Sequence, residues 1–161
     1  MTATTSATPA GFKVIAQNRK AHFDYHVLEK IEAGLALRGP EVKSIRAGEV
    51  SLGESYAVVE QGQVILRDLH INPYACARLE TCDPVRPKVA LLHRNEIKRL
   101  ADQIAQQGRT LIPLRLYLKK GLVKIELGIC SGKHAEDKRE SMRRKTADRE
   151  TARAIADRIR R

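Results

Sequence analysis

The chain has 161 residues, a length suited to one ordinary domain with extensions. It carries 30 Lys and Arg against 19 Asp and Glu, a formal net charge of +11 with a pI near 9.9, and that excess points to a nucleic-acid partner. No segment approaches the apolar length of a membrane span, and no basic amphipathic helix with bulky apolar residues opposite argues for a lipid surface.

The first residues, MTATTSATPAG, are small and polar and lack the basic start and apolar run of a secretory signal. Residues 1–12 read as disordered and outside the fold, residues 13–132 as a compact body, and residues 133–161 as a basic tail. From His22 to Leu37 strand-forming residues dominate, with Gly34 as a bulge or bend. On such a strand His22, Asp24 and His26 would point the same way. That spacing admits a metal, but ordinary polar residues on a sheet face are the preferred reading, and no metal or cofactor is expected.

Arg38 to Glu41 reads as a helix start, with Pro40 suited to the first helical position and Glu41 at the positive end of the helix dipole. Val42 and Ile45 give that helix an inward face, and Gly48 ends it. Lys43 and Arg46 flank the apolar pair and are candidates for phosphate contacts. Residues 56–59 and 64–66 flank Gln61 and Gly62, a hairpin signal. Residues 70–88, with Pro73, Pro84 and Pro87, read as irregular. A helix is predicted from about Asn95 to Gln107, with Ile97, Leu100, Ala101 and Ile104 at helical spacing and Gly108 as the stop. Two apolar strands, Thr110–Leu118 and Leu122–Ile129, then flank Lys119 to Gly121. In the first, Leu114, Leu116 and Leu118 are predicted to share a face; in the second, Val123, Ile125 and Leu127.

Several strands joined by hairpins and few helices favour a mainly β fold, an OB-like antiparallel β-barrel. The six Phe and Tyr residues, with no Trp, favour recognition of a folded RNA's shape and backbone over rows of stacked bases. Cys76, Cys82 and Cys130 match no zinc or redox spacing and read as free thiols of a reducing compartment, so a cytoplasmic protein is expected.

From Ala135 onward ten basic and six acidic residues leave a net of +4, so the remainder carries +7. Nothing after Gly132 breaks a helix, yet only Met142, Ile155 and Ile159 are large and apolar. Such a segment has little to bury and is expected to be flexible, becoming helical on an anionic receiver. Arg139 and Arg143 fall one turn apart, and with Lys138, Arg144 and Lys145 they form a basic stripe suited to an RNA groove. A solvated terminal helix is the plainer alternative.

Several stretches in order carry a resemblance. They are Asn18 to Ala21, His22 to Tyr25, Glu32-Ala33-Gly34, Gly39 to Gly48, His70 to Tyr74, Asp83 to Arg86, Gly132-Lys133 and Asp137-Lys138-Arg139. Together they resemble the SsrA-binding protein (small protein B, SmpB) family over about residues 13–145. The resemblance implies an OB-like barrel with a basic tail and no catalytic role. It implies binding to the tRNA-like domain of transfer-messenger RNA and delivery of that RNA to stalled bacterial ribosomes, where 16S rRNA lines the decoding centre. The tail would enter the empty mRNA channel.

Carried over by position, Glu32, Leu91 and His93 fall on RNA-binding sites of the body, and Arg19, Lys20, His22, Lys43 and Arg46 are its basic candidates. Lys133, Asp137, Lys138, Arg139, Arg143, Arg144 and Lys145 are the tail's candidates for the ribosome. The chain departs from the family pattern at Arg86 to Leu92, where one basic position is lost, and at Lys133 to Glu136 before the Asp-Lys-Arg motif. A monomer is expected. The competing readings are a general ribosomal or tRNA-binding OB protein and a metal-dependent RNA-processing enzyme built on His22, Asp24 and His26.

Overall fold

The computed structural model describes residues 12–74, 83–105, 108–133 and 135–159. The expected disorder of residues 1–11 and the thiols of Cys76 and Cys82 lie outside the described residues. In chain order the elements are β1 (Phe12–Gln17), α1 (Arg19–Asp24), β2 (Tyr25–Leu35), α2 (Gly39–Ala47), β3 (Val50–Ser51), β4 (Tyr56–Glu60) and β5 (Gln63–Arg67). They continue with β6 (His70–Ile71), β7 (Lys88–Leu91), α3 (Arg94–Ile104), β8 (Arg109–Lys119), β9 (Leu122–Gly132) and α4 (Ala135–Ile159).

Seven strands form one antiparallel sheet in the order β1-β8-β4-β5-β7-β2-β9, and β8 also pairs with β9. The sheet therefore curls into an OB-like, partly closed ring, with β1 as an outer strand. Strand β8 makes the closure. One edge pairs with β9 from Arg109 to Lys119, while the other meets β4 at Leu111 and then β1 from Arg115 to Lys119. The register slips between Pro113 and Arg115, a bulge at a proline that has no N–H for the ladder. Leu114 therefore packs with Ala21, Ile112 and Cys130 under α1, while Leu116 joins the main core with Leu66, Leu100 and Leu127. The predicted shared face of Leu114, Leu116 and Leu118 is corrected by this bulge. Tyr117, which alternates with those leucines along β8, is also buried.

Local chemistry explains most elements. Both two-residue turns, Gln61-Gly62 and Lys120-Gly121, have positive φ at each position, which suits a tight hairpin. Gly48 closes α2 in the left-handed region at φ 84°. Glu41 accepts the Arg38 N–H at 2.7 Å and so caps the start of α2.

Other expectations need correction. Phe12 is not part of a disordered start but opens β1. His22 to Asp24 are not strand but the end of α1, which the Asn18 side chain starts by accepting the Ala21 N–H at 3.0 Å. The register shift of β2 lies between Val27 and Glu29, not at Gly34. Helix α3 ends at Ile104, with Ala105 as its cap; residues 106–107 lie outside the described residues. The helix that the tail's composition allows runs from Ala135 to Ile159.

The stretch read as irregular holds an ionic anchor. Lys88 is fully buried, and its ammonium donates to the carbonyls of Leu69, Arg86 and Pro84 at 2.8, 3.0 and 3.2 Å. Beside it the Arg86 guanidinium grips the buried Glu41 carboxylate through Nε at 2.8 Å and Nη2 at 2.5 Å. Burial alone would raise the Glu41 carboxyl, but Arg86 and the Arg38 N–H outweigh it and hold it below 4.5. This two-toothed pair fastens the approach to β7 onto α2. Arg86→Ala leaves a buried carboxylate without that partner and is expected to cost about 3–5 kcal/mol in urea unfolding. Because the folded Glu41 pKa is depressed, its contribution is present above pH 4.5 and is lost as pH falls through the folded value.

Candidate nucleic-acid interface

Strands β2 and β9 pair from Tyr25 opposite Gly132 to Gly34 opposite Lys124. The Tyr25 end adjoins α1 and the start of α4. Glu32 lies seven residues up the strand, about 24 Å away at ~3.4 Å per residue. The predicted site residues divide between these two ends.

At the upper end, Glu32, Leu91 and His93 line one shallow concavity of about 600 Å³ with Lys30 and Lys124. Gly34 brings Leu91 there. A Cβ at position 34 would stand 3.3 Å from the Leu91 Cβ, so a glycine lets β7 close on β2. Leu91 keeps 56% of its surface exposed. His93 precedes α3, and its N–H is held by Glu96 at 2.9 Å. A neighbouring hollow of about 340 Å³ shares Leu91 and Lys124 and adds Val42, Arg46 and Leu122. Arg46 donates to the Gly121 carbonyl at 3.3 Å, tying α2 to the β8–β9 turn. Lys43 turns elsewhere, with its ammonium 5.4 Å from the centre of the Tyr74 ring.

Glu32 is a held carboxylate. The Tyr117 hydroxyl donates to its Oε2 at 2.5 Å, and the Lys119 ammonium spans Oε1 and Oε2 at 3.1 and 3.0 Å. Those two donors, Tyr117 first, keep the Glu32 carboxyl below 4.5 against the opposing effect of burial. Burial and then Glu32 itself push the Tyr117 phenol far up, so it remains a donor. The surface is thus cationic at Lys124 and Arg46, with Lys30 paired to Glu126 at 3.4 Å, apolar at Leu91 and Leu122, and acidic at Glu32 and at Glu96. Such a surface can take phosphates, sugar faces and hydrogen-bond donors from one folded RNA.

At the lower end, Arg19, Lys20 and His22 lie on α1. Lys20 pairs with Glu54 at 2.8 Å. Arg19 and His22 line a groove of about 510 Å³ between α1 and α4 with Phe23, Lys133, Met142 and Lys145. Lys133 donates its ammonium to the His22 carbonyl and its N–H to the Asp24 carbonyl, both at 3.0 Å. Lys138 pairs with Asp24 at 2.9 Å, and His26 Nε2 lies 3.4 Å from Asp137. The tail motif therefore begins against the body. Arg139, Arg143, Arg144 and Lys145 are exposed, with Arg144 reaching Glu140 at 3.4 Å. His134 lies outside the described residues.

The alternation that would have aimed His22, Asp24 and His26 together does not exist, since the first two are helical. Among the described residues no group of three or more His, Cys, Asp or Glu is placed to hold a metal. Nor, among them, is any helix long and apolar enough to cross a membrane.

The sequence reading missed Lys30, Lys124, Leu122, Tyr117 and Lys119. Lys30 sits two positions before Glu32, so a strand signal was available for it. Tyr117 and Lys119 reach Glu32 from another strand, and only the register reveals them.

Residues 15–157 match the family model described as SmpB protein. An SsrA-binding protein of Geobacillus kaustophilus is 51% identical over 146 residues, covering 91% of this chain and 94% of the relative. One from Desulfitobacterium hafniense is 51% identical over 147 residues, again covering 91% and 94%. A solved structure described as "tmRNA-SmpB: a journey to the center of the bacterial ribosome" superposes with a TM-score of 0.66 at 43% identity. It covers 82% of this chain and 96% of that one.

A carbon-13 titration of the Glu32 carboxyl checks the geometry. The wild-type midpoint is expected below 4.5, and Tyr117→Phe should raise it toward that value.

Proposed function

The chain belongs to the SmpB protein family, and on that premise we propose that it is an RNA-binding adaptor of trans-translation. It binds the tRNA-like domain of transfer-messenger RNA and carries that RNA to the stalled bacterial ribosome. The observation that carries this reading is the division of positive charge between two surfaces about 24 Å apart along β2. The first is a compact, mixed surface around Glu32, Lys124, Arg46 and Leu91 and suits a folded RNA. The second is the exposed cationic helix α4, which suits a long, narrow anionic groove.

In this reading the upper surface holds the tRNA-like domain, and the tail occupies the empty mRNA channel beside 16S rRNA. Arg139, Arg143, Arg144 and Lys145 meet phosphates there. Arg19, His22 and Lys133 stand at the junction, where body and tail RNA contacts join. The protein supplies placement; the chemistry belongs to the RNA and the ribosome, so it is not an enzyme and needs no cofactor. It acts as a monomer in the cytoplasm, where its partners are.

The test compares the full chain with one ended before Ala135. Both are expected to bind the tRNA-like domain with similar affinity and to prefer it to ordinary tRNA in a gel-shift titration. Only the full chain should support tagging on ribosomes stalled without a stop codon. Equal affinity for ordinary tRNA would favour a general RNA-binding OB protein. Loss of RNA binding on truncation would mean that the two surfaces are not separate.

A further inference from the structure

Glu32 is an unusual group to place on a cationic RNA-binding surface, because a carboxylate repels phosphates and offers acceptors alone. It is useful there only if it stays ionised and points at a hydrogen-bond donor of the RNA. A glutamate side chain on an open strand does neither by itself. It has three rotatable bonds, and fixing it on binding costs entropy. In this structure the cost is met before RNA arrives. Tyr117 donates to Oε2 at 2.5 Å, and Lys119 spans both oxygens at 3.0 and 3.1 Å.

The clamp is itself supported. Tyr117 is only 4% exposed, and the Phe12 ring lies 4.6 Å from its ring. Phe12 is brought there by β1, which pairs Phe12 with Lys119 and Val14 with Tyr117. Strand β1 is not needed to close the ring, since β8 already joins β4 to β9. Its place in the fold is explained by what it covers: it buttresses the strand that carries both clamp residues.

We propose that Tyr117 and Lys119 are positioning residues for RNA recognition, acting through Glu32 to present one ionised, oriented carboxylate to a hydrogen-bond donor of the bound RNA. This rests on the reading of the upper surface as the site for the tRNA-like domain. Neither residue touches the RNA in this role. Lys119 holds both carboxylate oxygens in place, and the phenol fixes which lone pairs face outward.

The experiment is a double-mutant cycle on binding of the tRNA-like domain, with Tyr117→Phe, Lys119→Gln, Glu32→Ala and both doubles, measured across a salt series. Each clamp variant is expected to weaken binding roughly tenfold, the scale of one hydrogen bond to a charged group. In the Glu32→Ala background neither should weaken it further, because there is nothing left to position. The slope of log affinity against log salt should be unchanged by Lys119→Gln, since no phosphate contact is lost.

A residue that matters only for folding would lower binding equally with or without Glu32, so multiplying losses overturn the proposal. So does a Lys119→Gln variant that loses slope, or a Tyr117→Phe protein that binds like wild type. Lys119 is half exposed, so its arm remains informative should Tyr117→Phe fold poorly. Wild-type protein that fails to bind this RNA would overturn the functional reading and the clamp together. Normal wild-type binding with additive variants would overturn the clamp alone.

Discussion

The long antiparallel ladder between β2 and β9 is the constraint on which the rest of the molecule depends. It is stiff because β9 is also paired along its length with β8, so the central strand has a partner on each edge. Buried apolar residues from the three strands, among them Leu116, Ile125, Leu127 and Ile129, lock its inner side. Where α1 crosses it, a second small cluster around Leu114 and Cys130 covers the other side. Gly128 is small for a reason: a Cβ there would come within 2.7 Å of the Leu114 side chain. A ladder built this way cannot bend easily, and it fixes the distance between whatever sits on its two ends.

The ends are stabilised in different ways, and that difference suits their roles. The upper end rests on buried ionic groups, with Glu41 and Arg86 joined and Lys88 saturated by carbonyls. Groups removed from water in this manner are costly to separate, so α2 and β7 keep a fixed relation beneath the upper surface. The lower end holds α4 by contacts at the surface, the Lys138–Asp24 ion pair and Asp137 at 3.4 Å from the His26 ring. Pairs of that kind contribute about 0–1 kcal/mol each and are screened by salt. The rest of α4 presents isolated apolar residues, such as Met142 and Ile155, each more than half exposed. Its helix therefore owes little to packing and much to composition.

The sequence made a large part of this legible, for identifiable reasons. Hairpins announced themselves through Gly62 and Gly121, and the start and end of α2 through Glu41 and Gly48, because those signals are local. Glu32, Leu91 and His93 were named by resemblance, and the fold then brought them into one hollow. What stayed hidden was set by contacts distant in sequence. Helix α1 is only six residues long, and its one strong cue is the Asn18 cap. The β8 bulge reversed the facing of Leu114 relative to Leu116, and period-2 reasoning has no means of seeing an inserted residue. Lys88 reads as a surface lysine until three carbonyls are found around it. The clamp on Glu32 needs the register of two further strands, which no local motif encodes.

In the proposed function a rigid ladder carries a compact surface at one end and a lightly held cationic helix at the other, each meeting a different RNA. Directed hydroxyl-radical probing tests it most directly. In a chain whose native cysteines are replaced by alanine or serine, an iron chelate is tethered through a cysteine introduced at Leu122, beside the upper surface, or at Arg153, on the tail, and each protein is assembled with transfer-messenger RNA on a stalled ribosome. The account predicts cuts in the tRNA-like domain from position 122 and cuts in 16S rRNA along the mRNA channel from position 153. Cleavage of the same RNA segment from both positions would contradict it.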